Sequence, residues 1–436
     1  MSMLEKREDA RGRALLVGLA CDSAQDFDNS DEETMAELAE LVKTAGGESV
    51  LSAMQNRHTP DPHTFIGEGK CRELKDLIAA NDIDLVIFDN ELSPSQGRAL
   101  EEALSCRVID RNGLILDIFA DRARTAEGKL QVELAQYQYL LPRLTGMWTH
   151  LVRQTASGGS SPIGTRGPGE TQLETDRRHI RRKIQKLQEE LRDLRRVRAT
   201  QRSKREKAEV PLVCIVGYTN AGKSTLLNAL TGAGVHAADR LFDTLDPTTR
   251  MLRTQQLGDI LLSDTVGFIR KLPHHLVDAF RSTLEELVYA DVLVHVVDAS
   301  DEQWRQQMAV VEELVTQLGA EGTPRILVFN KADKLRDDQL PRETGALCCS
   351  ALRGLGLEAL VDRICQVLGE GLRTVRFVLP YDQAQVQQLL YRDANVRRAD
   401  FAEDGIHMEV TVDRKTYGRI RDLLPESERE PEDDEF

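Results

Sequence analysis

One stretch limits what this chain can fold into more than any other. The apolar run Leu212-Val-Cys-Ile-Val216 leads directly into Gly217-Tyr-Thr-Asn-Ala-Gly-Lys-Ser224 and then into Thr225-Leu-Leu-Asn-Ala-Leu230. That is a strand, a Gly-x-x-x-x-Gly-Lys-Ser loop and a helix in immediate succession. The glycines let successive backbone N–H groups turn toward one point at a helix N-terminus, where anionic phosphate is favoured. Gly217, Tyr218, Thr219, Asn220, Ala221, Gly222, Lys223, Ser224 and Thr225 are therefore candidate nucleotide-binding residues. Lys223 is expected on the terminal phosphates and the Ser224 hydroxyl on Mg²⁺.

Such a loop does not choose between ATP and GTP. A second strand, Arg325-Ile-Leu-Val-Phe329, ends in Asn330-Lys331-Ala-Asp333. The Asp333 carboxylate can accept the guanine ring N–H and exocyclic amine together, a donor pair that adenine does not present. Ser350, Ala351 and Leu352 follow a short strand-like run and would bring a backbone N–H to the guanine oxygen. Between the two motifs, Asp259-Ile-Leu-Leu-Ser263 ends in Asp264-Thr265-Val266-Gly267. Asp264 is suited to hold a Mg²⁺ water, and the Gly267 N–H to meet a γ-phosphate. Phe268 then stands where Ras-like GTPases commonly carry the Gln that orients attacking water, so slow intrinsic hydrolysis is expected. Asn220 occupies a place where potassium-dependent GTPases use an Asn beside the phosphates. It reads equally well as a loop Asn tolerating an unusual backbone, so K⁺ stays open. In Leu241-Phe-Asp-Thr-Leu-Asp-Pro-Thr-Thr249, the residues Thr244, Thr248 and Thr249 compete as the Mg²⁺ ligand of a switch segment, Thr244 being favoured. The catalytic candidates are thus Lys223, Asn220, Thr244 and Gly267, with Ser224, Thr244 and Asp264 as metal ligands.

Along the rest of the chain, apolar runs at 15–20, 49–54, 84–88 and 107–109 alternate with helical stretches at 32–44, 70–80 and 95–104. This pattern reads as a small parallel sheet with crossover helices. The texture changes from Arg122 to Lys207. Gln131 to Leu141 reads as one helix, and Ile180, Ile184, Leu187, Leu191 and Leu194 form a heptad seam on a long second one. A helical hairpin results, with the Gly-rich stretch Ser157 to Gly169 as its tip. After about Gly369 come a strand at 375–379, a helix at 382–392, strands near 399–402 and 407–412, and a helix at 415–424. The expected fold is multidomain α/β: an N-terminal parallel-sheet α/β domain (1–121), the basic hairpin (122–208), a Ras-like P-loop G domain (209–370), a small C-terminal α+β domain (371–424) and an acidic disordered tail (425–436). The length of 436 residues suits about three domains.

No apolar run reaches the roughly 18 residues of a membrane helix, and Glu5, Glu8 and Asp9 spoil a signal-peptide reading of the N-terminus. A cytoplasmic protein is expected, and its seven cysteines, none in a Cys-x-x-Cys pair, fit a reduced compartment. The net charge of −15 hides a basic element: from Asp176 to Lys207 the chain carries 14 cations against 5 carboxylates. With the Gly-rich tip this suggests phosphate contacts to RNA, with Gly158, Gly159, Gly164, Arg166, Gly167, Gly169, Arg181, Arg182, Arg195 and Arg196 as candidates; a solvated helix face is the plainer reading. Gly67-Glu-Gly-Lys70 lacks the spacing of a second phosphate loop and reads as a helix start.

The strings Gly217 to Ser224, Leu241-Phe-Asp-Thr-Leu-Asp-Pro247, Asp264-Thr-Val-Gly-Phe-Ile-Arg-Lys-Leu-Pro273 and Thr165-Arg-Gly-Pro-Gly-Glu-Thr-Gln-Leu-Glu-Thr-Asp176 together resemble the HflX family of translational GTPases. The resemblance runs from about residue 12 to 369. It implies that Thr244 is the switch Mg²⁺ ligand. It further implies a cytosolic stress-response protein, monomeric when free, that binds GTP, GDP and the large ribosomal subunit, dissociates stalled or idle ribosomes and hydrolyses GTP there. An RNA-binding scaffold or a tRNA-related GTPase would be the alternative.

Overall fold

The computed structural model describes residues 12–21, 29–144, 168–207, 210–232, 241–242, 248–271, 286–336, 338–369, 372–381, 383–393, 395–402 and 404–413. Among them, three sheets follow one another along the chain.

The first sheet contains β1 (Arg13–Cys21), β2 (Glu48–Arg57), β3 (Leu85–Phe88) and β4 (Arg107–Asp110), all parallel, in the order β2-β1-β3-β4. Its crossover helices are α1 (Glu32–Thr44), α2 (Glu68–Asn81) and α3 (Pro94–Leu104). Their starts are written locally. Asp31 and Thr34 form a capping box on α1, and Ser93 and Gln96 another on α3, with Pro94 in its first turn. Gly67 is the N-cap of α2 and Lys70 pairs with Glu73 at 2.7 Å, in keeping with a helix start there. The sequence reading assigns no element to 111–122. The structure has a helix there, α4 (Arg111–Arg122), buried along Arg111–Phe119. A helix covered on all sides shows no amphipathic stripe, which is why periodicity misses it.

Helix α5 (Ala126–Arg143) then meets the long α6 (Pro168–Lys207), and Ile184, Leu187 and Leu191 pack on Leu130, Leu134 and Tyr137. The central part of the expected seam is thus the contact. One boundary shifts: Gly169, expected in the tip, lies in the first turn of α6, which Pro168 opens. The remaining tip residues Gly158, Gly159, Gly164, Arg166 and Gly167 lie outside the described residues.

The second sheet has the order β10-β9-β8-β5-β7-β6, formed by β5 (Leu212–Gly217), β6 (Thr248–Thr254), β7 (Gly258–Asp264), β8 (Val292–Asp298), β9 (Arg325–Asn330) and β10 (Leu347–Cys348). Only β6 runs antiparallel, against β7. Helices α7 (Lys223–Thr231), α8 (Trp304–Gln317) and α9 (Leu357–Gly369) cover it. One apolar cluster runs without a break from α1, α4 and α5 into β5, Phe268, Ile269 and α8, so the first two sheets share a core. The third sheet, β11 (Leu372–Leu379), β13 (Gly405–Asp413) and β12 (Asn395–Ala402), is antiparallel and buries one face under α10 (Ala384–Asp393). The helix expected at 415–424 and the acidic tail lie outside the described residues. No described helix is long and apolar enough to cross a membrane.

Candidate functional site

The candidate residues converge where β5, β7 and β9 end. Strand β5 is buried along its whole length, and its last residue, Gly217, comes so close to β8 that a Cβ there would stand 2.2 Å from the Val296 carbonyl. Only glycine fits. The loop then turns through Asn220, exposed at φ +62°, and Gly222 at φ +93° into α7. The left-handed backbone at Asn220 satisfies the plain reading of that residue.

Lys223 is buried, and its ammonium donates to the carbonyls of Gly217 (3.1 Å) and Tyr218 (2.7 Å). Burial above all, and then Lys331, holds its pKa down at about 8, while Asp264 works the other way. Ser224 Oγ donates to Asp264 Oδ2 at 2.5 Å, so two of the proposed metal ligands, one from the phosphate loop and one from the end of β7, are already side by side. Asp264 is fully buried. Two oxygen donors, one anionic, form the donor set that Mg²⁺ prefers, and the residues present fit the ion. Thr244 lies outside the described residues. Its competitors are placed in the sheet: Thr248 opens β6 opposite Asp264, and the Thr249 hydroxyl meets that of Ser263 at 3.2 Å.

Gly267 stands over Lys223, and a Cβ on it would lie 3.0 Å from the ammonium and 2.8 Å from the Thr219 side chain. The Thr219 hydroxyl is buried with no hydrogen-bond partner among the described residues. Thr265 donates to the Ile215 carbonyl at 2.7 Å and Val266 is buried; both brace the segment. Phe268 is 1% exposed, and its backbone pairs with the phosphate loop: Thr219 N–H donates to its carbonyl at 2.7 Å and its own N–H to Gly217 at 3.2 Å. The ring therefore belongs to the core.

On the base side, Asn330 Nδ2 donates to the Ala221 carbonyl (2.9 Å) and Oδ1 accepts from Ala351 N–H (3.0 Å). Lys331 pairs with Asp298 at 2.7 Å, a partner the sequence reading does not name although it ends β8 beside β9. Exposed Asp333 accepts from Ser350 Oγ at 2.5 Å, while Leu352 is 77% exposed. Thr225 lies in the first turn of α7. Of the candidate RNA-binding cations, Arg181, Arg182 and Arg196 are exposed on α6, and Arg196 also pairs with Asp193 at 3.3 Å. Arg195 lies on the same helix.

The sequence reading also misses contacts from the first sheet. The Tyr218 hydroxyl donates to Glu37, Arg270 pairs with Glu33 (3.3 Å), and Lys271 pairs with Asp89 (2.5 Å). Asp89, directly after the apolar run of β3, is the local signal for one of them.

Known proteins similar to this chain are found by sequence and by structure. Three family models match in succession: GTP-binding GTPase N-terminal over 32–120, GTP-binding GTPase Middle Region over 122–205 and 50S ribosome-binding GTPase over 212–331. The chain is 45% identical over 422 residues to a GTPase HflX of Caldanaerobacter subterraneus, covering 97% of this chain and 96% of the relative. It is 43% identical over 406 residues to the GTPase HflX of Escherichia coli, covering 92% and 93%. Among solved structures, a GTP-binding protein from Sulfolobus solfataricus in complex with GDP is 26% identical, covering 82% of this chain and 99% of that one, with a TM-score of 0.42.

Proposed function

The chain belongs to the HflX family of GTPases and is a GTP-binding, GTP-hydrolysing enzyme; on that premise we propose that it binds the large ribosomal subunit through the α5–α6 hairpin and dissociates stalled or idle ribosomes. One observation carries the reading. Helix α6 turns Ile184, Leu187 and Leu191 onto α5 and leaves Arg178, Arg181, Arg182, Lys186, Arg192 and Arg196 exposed, in a chain whose net charge is −15. Cations set on the outer face of a packed helix can neutralise RNA phosphates without unfolding anything. The match of 212–331 to a 50S ribosome-binding GTPase model points the same way. In this reading the protein is a cytoplasmic monomer until it meets its partner. Its working units are those of the sequence reading, from the N-terminal α/β domain (1–121) to the C-terminal α+β domain (371–424).

Each site residue then has a defined task. Asp333 accepts the two guanine donors, with Ser350 fixing the carboxylate and the Ala351 backbone beside it. Asn330 ties that loop to the phosphate loop. Lys223 moves from the carbonyls of Gly217 and Tyr218 onto terminal phosphate oxygens, while Gly222 and Thr225 present N–H groups to the chain of phosphates. Ser224, Asp264 and Thr244 would hold Mg²⁺, which supplies neutralising charge on the β- and γ-phosphates. The side chain at 268 is buried in the core and brings no water-orienting group to the nucleotide, so intrinsic turnover is slow and the partner completes the site. Asn220, exposed at the loop's outer edge, is where a K⁺ would enter.

GTP turnover measured with and without purified large subunits tests the reading. Stimulation is expected; equal rates would leave an RNA-binding GTPase with no ribosomal role. Replacing Gly158 to Gly169 by a short Gly-Ser linker should preserve nucleotide binding and abolish ribosome dissociation in sedimentation. Exchanging KCl for NaCl at constant ionic strength isolates the role of Asn220.

A further inference from the structure

Strand β8 is buried from Val292 to Val297. Side chains two apart on a strand share a face, so Leu293, His295 and Val297 all point toward the side that α8 covers. Leu293 and Val297 pack there among apolar side chains. His295 instead, 4% exposed, lines a cavity of 490 Å³ between α8 and the strands β8 and β9. No hydrogen bond reaches its ring among the described residues. Burial above all, and then Arg325 and Lys223, hold its pKa down, so the ring is neutral and has one nitrogen to donate and one to accept. A buried polar group without a partner costs stability, and the cavity leaves room for that partner to be supplied.

The walls carry unlike charges. Arg325 comes from the start of β9, and Glu312 and Glu313 come from α8. Glu313 already accepts from Gln317 Nε2 at 3.1 Å, and the Thr316 hydroxyl turns back onto the Glu312 carbonyl at 2.9 Å. That leaves two groups uncommitted. Arg325 and the Glu312 carboxylate line one cavity, yet neither forms an ion pair with the other or with any other described residue. A lone anion between them would be repelled by Glu312 and a lone cation by Arg325, whereas a molecule bearing both charges satisfies each. Leu327, the register partner of His295 on β9, adds an apolar wall. The cavity is not the nucleotide site: Arg325 begins β9 and Asn330 ends it, about 17 Å further along the strand.

We propose that this cavity is a second ligand site, separate from the nucleotide's, that binds a zwitterion of dipeptide size, with its carboxylate on Arg325, its ammonium on Glu312 and its amide against the His295 ring. The volume lies within the range of small-molecule sites. A peptide group supplies one N–H and one C=O, the complement of what a neutral imidazole offers. A side chain on the ligand has Leu327 to rest on.

The test is calorimetry on the full chain saturated with GDP. Glycyl-leucine is titrated beside acetyl-glycyl-leucine, which lacks the ammonium, and glycyl-leucinamide, which lacks the carboxylate. A ligand of this size should bind glycyl-leucine's way with a Kd of about 1 mM. Each capped form should bind about 5-fold more weakly, the effect of one partly exposed charge contact. Glu312→Gln should weaken glycyl-leucine by the same factor and make the chain indifferent to acetylation; Arg325→Gln should do so for amidation. Both side chains are exposed, so neither exchange threatens the fold. Absence of saturable binding of glycyl-leucine, or capping costs that persist in full in the two variants, overturns the proposal.

Discussion

Asn330 and Asp333 stand three residues apart in the same motif, yet the structure gives them different work, and a pair of substitutions separates it. Asn330 is 2% exposed and joins two buried backbone groups, the Ala221 carbonyl and the Ala351 N–H. Asn330→Ala orphans both. A buried polar group without a partner costs about 1–3 kcal/mol, so the variant should lose about 3 kcal/mol of stability once partial relaxation is allowed. The phosphate loop is moulded on the same amide, since a Cβ on Gly222 would come within 2.3 Å of Asn330 Nδ2. Asp333→Asn, by contrast, changes an exposed side chain that meets Ser350 Oγ, and should cost less than about 1 kcal/mol. Its effect is on the base: an amide in place of the carboxylate should favour xanthine over guanine nucleotides. Urea unfolding read from Trp304, whose ring meets Phe329 edge-on at 5.0 Å, reports on this region once Trp148→Phe has removed the other indole. If Asn330→Ala unfolds within about 0.5 kcal/mol of wild type, or Asp333→Asn is destabilised equally, the division of labour is wrong.

Other outcomes follow from single features. His295 is held near a pKa of about 4, chiefly by burial and then by Arg325 and Lys223. The folded chain therefore stays neutral there while the unfolded chain takes a proton below its ordinary 6.5. Stability from this group is full above pH 6.5 and lost as pH falls through 4, by up to about 3 kcal/mol, and His295→Gln should flatten that limb of the pH–stability curve. Phe268→Gln should destabilise by about 3 kcal/mol and leave intrinsic turnover slow, because the side chain at this position faces the core; faster single-turnover hydrolysis would contradict this. Leu187→Ala with Leu191→Ala should loosen α6 from α5 and weaken binding to large subunits, with GDP affinity unchanged in a fluorescence titration.

What could be read from the sequence was what is local. The phosphate loop is contiguous with its strand and helix, and α1 and α3 announce their starts through Asp31 with Thr34 and Ser93 with Gln96. The ends of β7 and β9 could be placed because an apolar run stops at Asp264 and at Asn330. Helix α4 was not legible, because burial on all sides erases the periodicity that marks a helix. Nor was the contact between the first two sheets. Glu37, Asp89, Arg111, Tyr218 and Lys271 are scattered over more than half the chain, and each alone reads as an ordinary polar residue. Only closure of the shared core brings them within hydrogen-bonding distance. The guanine-side carboxylate fell between these cases: Asp333 was readable, but its rotamer depends on Ser350, which arrives from a later strand.

Helix α6 spans 40 residues, about 60 Å at 1.5 Å per residue, against about 27 Å for the 18-residue α5 that supports it. Its last residue, Lys207, precedes Leu212 by five positions, and β5 delivers the phosphate loop six residues later. Mechanically this is a nearly balanced beam, since its contact with α5 at Leu187 and Leu191 lies close to the middle of its length. A force applied at the Pro168 end produces a torque that is delivered at the root of β5. With arms of about 30 Å, a rotation of about 5° displaces each end by about 2–3 Å, in opposite directions. The beam therefore passes a movement made on the outside toward β5 with its direction reversed and its amplitude nearly kept.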